Sequence, residues 1–140
     1  MADRVYRLDP PRSREDWDAY HAIRRRVFNL PRPEEPSDAS SHAMVLFLND
    51  TPVGCIQIDD LQNQSAALRL VAIDPSHQGG GHGRVMLRQA EDFVRRIGCR
   101  QAVVYATPEA AGFYADSGYD EEDWDDMCMG GIVQMLKRLG

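Results

Sequence analysis

Cysteine is scarce in this chain: Cys55, Cys99 and Cys128 are the three in 140 residues. An odd set at no metal-ligand spacing supplies neither a disulfide framework nor a zinc site. A reduced, cytoplasmic compartment and no metal are therefore expected, with the thiols as small buried hydrophobes rather than nucleophiles. Apolar runs long enough to cross a bilayer are missing, and Met1-Ala2-Asp3-Arg4-Val5-Tyr6-Arg7 lacks the apolar core of a secretory signal, so no membrane partner is expected. A basic excess is missing too. The net charge of −6 speaks against nucleic acid, whose phosphates select basic surfaces. Six of the acids crowd into residues 120–126, and the rest of the chain is balanced. An anionic ligand elsewhere on the surface stays compatible with that distribution.

What is present is ordinary for a globular protein, 43% hydrophobic and 27% charged, and residues 1–140 read as one domain. Residues 5–8 read as a short strand stopped by Pro10-Pro11. Ser13 followed by Asp16 is a helix-start signal, and Trp17, Tyr20, Ile23, Val27 and Phe28 recur at helical spacing, predicting a helix over 14–28. Arg24-Arg25-Arg26 falls on or beside its polar face and reads as solvated. Residues 31–41 are proline-rich and read as a loop. Strands are expected over 42–48 and 53–58, joined by the turn Asn49-Asp50-Thr51-Pro52, and over 66–73, a central strand apolar on both faces apart from Arg69.

Gln78-Gly79-Gly80-Gly81-His82-Gly83-Arg84 follows that strand. Behind it, Val85, Met86, Ala90, Phe93, Val94 and Ile97 form a core-facing helical stripe that Gly98 terminates. A strand is expected over 101–106, then a short helix capped by Thr107 with Pro108 at its first position and ended by Gly118. The tail reads as a hairpin with strands near 124–129 and 132–136. This order gives an α/β fold with a mixed sheet.

A glycine triplet in isolation reads as a surface loop. Placed between a strand and a helix, it presents unpaired N–H groups and the positive end of the helix dipole, which suits a pyrophosphate. The nucleoside-triphosphate loop is excluded, because Gly83 is followed by Arg84 and Val85 rather than by lysine and a hydroxyl residue. The dinucleotide fingerprint is excluded by glycine spacing. His42, His77 and His82 have no metal-ligand spacing and no nucleophile partner.

Two motifs in order carry a family resemblance. The first is Val71-Ala72-Ile73-Asp74-Pro75 followed by Gln78-x-x-Gly81-x-Gly83. The second runs Thr107, Ala110, Phe113, Tyr114, Gly118 and Tyr119. Together with Arg24 to Phe28 on the first helix, they resemble the GNAT superfamily of N-acetyltransferases over most of the chain. Thr107 stands where that family usually has asparagine, which removes one side-chain contact to the pantetheine arm.

The resemblance implies a single-domain fold with a central, mixed, mostly antiparallel sheet of about seven strands flanked by helices. It also implies a cofactor cleft between two splayed parallel strands ending near Ile73 and Ala106. Acetyl-coenzyme A is then the co-substrate. Backbone groups of Val71, Ala72 and Ile73 would pair with the pantetheine like an added strand. Gln78, Gly79, Gly80, Gly81, His82, Gly83 and Arg84 would take the pyrophosphate, while Arg84 reads equally as a solvent-facing helix arginine. Thr107, Ala110 and Phe113 would flank the arm.

Direct attack of a primary amine on the thioester needs an oxyanion donor, for which a backbone N–H near Ile73 is implied. It needs an acid for the departing thiolate, and Tyr114 holds that register. It also needs an unprotonated amine. A glutamate used by some branches is replaced here by Ala66-Ala67-Leu68-Arg69-Leu70, leaving Asp59, Asp60, Glu122, Asp123 or water as candidate bases. The acceptor is expected to be a small molecule or an exposed amino group. A homodimer through the terminal hairpin is a further expectation, with Ile132, Val133, Met135 and Leu136 as its apolar edge. The competing reading is a non-catalytic acyl-coenzyme A sensor.

Overall fold

The structure, a computed structural model, describes residues 4–28, 40–121 and 131–140. Strands β1 (Tyr6–Asp9), β2 (Ser41–Leu48), β3 (Thr51–Asp60), β4 (Ser65–Ile73), β5 (Gln101–Ala106), β6 (Asp120–Glu121) and β7 (Val133–Arg138) accompany helices α1 (Arg14–Phe28), α2 (His82–Arg96) and α3 (Pro108–Asp116). The strands form one seven-stranded sheet in the order β1-β2-β3-β4-β5-β7-β6. β4 and β5 pair in parallel and the other neighbours are antiparallel. This is the mixed, mostly antiparallel sheet that the family resemblance implies.

Local chemistry accounts for the helices. Ser13 Oγ accepts from the Asp16 N–H at 3.1 Å, and the Asp16 carboxylate accepts from the Arg12 N–H at 3.0 Å. This reciprocal cap starts α1. Tyr20 and Ile23 of α1 are buried on one sheet face against Val45, Phe47, Cys55 and Ala72. On the other face, Met86, Leu87, Ala90 and Val94 of α2 pack with Ile56, Ile58, Leu68 and Tyr114 of α3. Gly98, at φ +91°, ends α2 in a left-handed conformation that glycine adopts without a Cβ penalty. No helix among the described residues is long and apolar enough to cross a membrane.

Two sequence expectations need correction. Arg24 is buried at 5% exposure, because the hydroxyl and ring of Tyr20, one turn earlier, receive its guanidinium at 3.1 Å and 5.3 Å. Arg25 and Arg26 are exposed, and Arg26 reaches Asp74 at 2.7 Å, tying α1 to the turn after β4. The expected apolar dimer edge also differs. β7 lies inside the sheet between β5 and β6, and Met135 is buried. Among the described residues the outermost strand on this side is β6, whose Asp120 and Glu121 are exposed. The first hairpin strand expected at 124–129 lies outside the described residues, as do Cys128, Glu122 and Asp123.

A bulge sets up the cleft. Across β3 and β4, Cys55 faces Ala72 while Gln57 faces Arg69, so β4 carries one extra residue over this stretch. Leu70 within it has φ +52°, a left-handed conformation that costs a non-glycine residue about 1–2 kcal/mol. The parallel ladder between β4 and β5 joins residues 65–68 to 101–104 and stops at Leu68 and Val104. Beyond that point the two strands part.

Candidate active site

The parting of β4 and β5 opens a cavity of about 400 Å³ lined by Leu70 and Val71 on one strand, Tyr105 and Ala106 on the other, and Ala110 and Tyr114 from α3. Of the strand triplet, Val71 and Ile73 pack toward α2 and α3, while Ala72 is buried beneath α1. Residues 69–73 have no ladder partner on the β5 side. An extended amide chain fits such an edge as an added strand.

The glycine turn forms a second depression of about 290 Å³, bordered by Ile73, Arg84 and Phe113. Gly79 and Gly81 have φ of +86° and +80°, and a Cβ at either would meet open space. Gly81 is the N-cap of α2 and offers no side-chain cap. The first N–H groups of that helix therefore face an open, Cβ-free turn, which suits an anion. Gln78 is exposed, and its Nε2 donates to the Ile73 carbonyl at 3.2 Å, joining the turn to the end of β4.

Not every glycine in this turn serves the same end. A Cβ at Gly80 would stand 2.6 Å from His82 Nε2, so Gly80 makes room for an internal side chain. His82 is itself buried, with Nδ1 2.8 Å from the Tyr6 hydroxyl. Burial, reinforced by Arg4 and His77, lowers its pKa and favours a neutral ring. The Gly80 carbonyl accepts from Arg4 at 3.1 Å. At Gly83 a Cβ would meet the Phe113 ring at 3.3 Å, so this glycine sets the approach of α2 to α3. Arg84 is exposed and stands on the lip of the turn.

Thr107 caps α3, its Oγ1 accepting from the Ala110 N–H at 3.3 Å, with Pro108 next in line. That side chain is therefore committed to the helix. Ala110 and Phe113 are half-buried, one lining the cleft and the other the glycine turn. Tyr114 lines the cleft at 7% exposure, and burial pushes its pKa up to about 12. Its ring meets those of Phe113 and Tyr119 edge-on at 5.1 Å and 5.7 Å, so its direction is fixed by packing.

The two describable base candidates part company. Asp60 is bonded to the Gln62 N–H at 2.9 Å and Cys99 Sγ at 3.8 Å, beside the turn that follows α2. Asp59 shares its sheet face with Arg69, which lines the cleft. Asp59 Oδ1 accepts from Ser41 at 2.7 Å and Gln57 at 3.0 Å, and Oδ2 accepts from Gln57 at 3.2 Å and Arg69 at 3.3 Å. Both oxygens are thus occupied. The structure adds Leu70 and Arg69 to the residues sequence reasoning singled out for the site. Arg69 left a signal, as the lone charge in an otherwise apolar strand, but a left-handed leucine leaves none.

Comparison with known proteins agrees with this geometry. The putative N-acetyltransferase of Lactobacillus plantarum superposes with TM-score 0.78 at 22% identity, covering 97% of this chain and 99% of that one. The PaiA N-acetyltransferase of Thermoplasma acidophilum, solved with coenzyme A, superposes with TM-score 0.74 at 16% identity, covering 96% and 99%. Glucosamine 6-phosphate N-acetyltransferase 1 of Oryza sativa subsp. japonica is 34% identical over 53 residues, which are 38% of this chain and 32% of the rice protein. The chain thus matches about a third of that relative's length. The sequence model of the acetyltransferase family covers residues 2–119. With a sheet that splays at Leu68 and Val104 and a glycine turn opening α2, the chain belongs to the acetyltransferase (GNAT) family.

Proposed function

We propose that this chain is a single-domain acetyl-coenzyme A-dependent N-acetyltransferase that acetylates a primary amine of a small molecule or an exposed amino group. The observation that carries the reading is Tyr114, held by aromatic packing in the lining of the cleft that begins where β4 and β5 part. The unpaired edge of Val71, Ala72 and Ile73 would hold the pantetheine arm, and the turn from Gln78 to Arg84 the pyrophosphate. Gly79 and Gly81 leave it open space, whereas Gly80 and Gly83 serve internal packing. Acetyl-coenzyme A supplies the activated acyl group, and the chain supplies position and proton donors.

With its pKa raised to about 12, Tyr114 stays protonated at neutral pH. Complete proton transfer to a thiolate with pKa near about 8.5 would be uphill. Tyr114 therefore acts as a hydrogen-bond donor to the charge developing on sulfur, a role commonly worth about 10²–10³ in rate. Both Asp59 oxygens are engaged in hydrogen bonds, and in this reading the amine reacts from its neutral fraction, its proton having passed to water. That fraction is on the order of 0.04% at pH 7 for a lysine-like amine.

Free-thiol release across an amine panel tests the reading. Tyr114→Phe should lower kcat by about 10²–10³ while acetyl-coenzyme A still raises the melting temperature. Tight binding of acetyl-coenzyme A without thiol release from any amine would instead establish a sensor. Stronger stabilisation by ATP or NAD would overturn the cofactor assignment.

A further inference from the structure

We propose that Arg69 selects acceptors that carry an anionic group, a carboxylate or a phosphate, beside the amine. The inference rests on the transferase reading and narrows its substrate class. Arg69 is the last residue of β4 before the left-handed Leu70. The extra residue there puts Arg69 and Ala72 on the same face, and Arg69 borders the cavity that Tyr114 also lines. Among the described residues lining that cavity, Arg69 carries the only charge.

The pairing of Arg69 is incomplete. Its side chain is 58% exposed and meets Asp59 through one nitrogen at 3.3 Å. A guanidinium has five N–H donors in a planar fork, so this contact leaves an edge available for a bidentate anion. Asp59 cannot rotate freely to cover it, because Ser41 and Gln57 hold the carboxylate from the other side. Asp59 is thus a positioning residue.

A second positive charge lies on the same face of the sheet. Arg24 of α1 is buried there, its Nε has no partner, and Tyr20 is the sole group it bonds among the described residues. Arg24 thus adds a second positive charge to the sheet face that carries Asp59 and Arg69. An acceptor bearing only ammonium groups would meet like charge on this face, whereas an anionic group would complete the fork of Arg69.

Matched amine pairs test this. O-phosphoethanolamine against ethanolamine forms the phosphate arm, and free L-amino acids against their amides form the carboxylate arm, with spermidine as a cationic comparator. In at least one arm the anionic member should exceed its neutral partner in kcat/KM by about 10- to 100-fold. Arg69→Gln should abolish that preference mainly through KM, and Arg69→Lys should restore part of it. The variant's unchanged melting temperature would show that folding is intact. Equal use of both members in both arms, preference for spermidine, or a preference that survives Arg69→Gln would overturn the proposal. If no amine releases thiol, the transferase reading fails separately. The same pairs titrated by calorimetry onto protein saturated with coenzyme A then decide the role of Arg69, with loss of anionic binding in Arg69→Gln supporting it and no anionic binding overturning it.

Discussion

Lys137 Nζ lies 3.0 Å from Glu91 Oε1, joining β7 to α2 through a carboxylate whose side chain is 4% exposed. The other oxygen, Oε2, accepts from the Tyr119 hydroxyl at 2.8 Å, and Lys137 also donates to the Ser117 carbonyl at 2.9 Å. One buried acid thus gathers α2, Tyr119 in the segment after α3, and β7. Burial and the nearby Glu91 both raise the pKa of Tyr119, so its phenol remains a donor.

Removing one partner of such a pair leaves a buried charge uncompensated. Lys137→Met is expected to cost about 3–5 kcal/mol, and the double replacement Glu91→Met with Lys137→Met considerably less. Urea unfolding of the two variants checks this. A double variant as unstable as Lys137→Met would mean that packing, not the unpaired charge, dominates.

The glycine turn makes a sharper prediction about individual positions. Gly80→Ala would place a methyl 2.6 Å from His82 Nε2, on a ring held by Tyr6. Overpacking of this kind commonly costs about 1–3 kcal/mol. Affinity for acetyl-coenzyme A should fall with it, as the turn shifts, and adding His82→Ala should relieve the clash. Gly112→Ala in α3 meets nothing within 4 Å, so it should stabilise the protein by about 0.4–1 kcal/mol. Melting temperatures and cofactor titrations of both variants make the comparison.

The helical stripes were legible because amphipathic spacing alone determines which face is buried, and α1 and α2 bury the residues their periodicity marks. Arg24 defeated that logic. Its charge reads as solvated, yet its place one turn after Tyr20 puts it in the buried row, where an aromatic face and hydroxyl receive it. The motif register located Tyr114 and the turn, but could not separate Gly79 and Gly81, which need positive φ, from Gly80, which accommodates His82. Acidic residues 120–126 gave no periodicity from which to read β6. The splay itself was expected only through resemblance, since its local cause is a backbone state of Leu70 that leucine rarely adopts.

That state is testable. Leu70→Val adds β-branching at φ +52° and should destabilise by about 1–3 kcal/mol, with weaker binding of acetyl-coenzyme A as the bulge flattens. Leu70→Gly removes the Cβ penalty and should keep the splay, so cofactor affinity should exceed that of Leu70→Val. Calorimetric titration of the two variants decides. Equal affinities would show that the opening of the cleft does not depend on the bulge.

Alkaline pH should weaken the fold for a related reason: several acidic protons are buried with no base to receive them. Burial raises Cys55 from 9.0 to about 12, against an opposing effect of Arg24. Tyr20 rises from 10.0 to about 12 by burial, again opposed by Arg24, and Tyr114 rises from 10.0 to about 12 by burial. In each case the unfolded chain loses its proton first. The stabilisation from keeping these groups neutral is fully present below about pH 9 and is lost as pH climbs through 9 to 12, where the unfolded state binds fewer protons. Urea midpoints should therefore fall across that window. Cys55→Ser keeps a hydroxyl that does not titrate there, so it should shallow the slope between pH 9 and 12 even where its overall stability is lower. An unchanged slope would mean that the thiol already ionises in the folded protein, and that Arg24, its buried neighbour, outweighs the cost of burial.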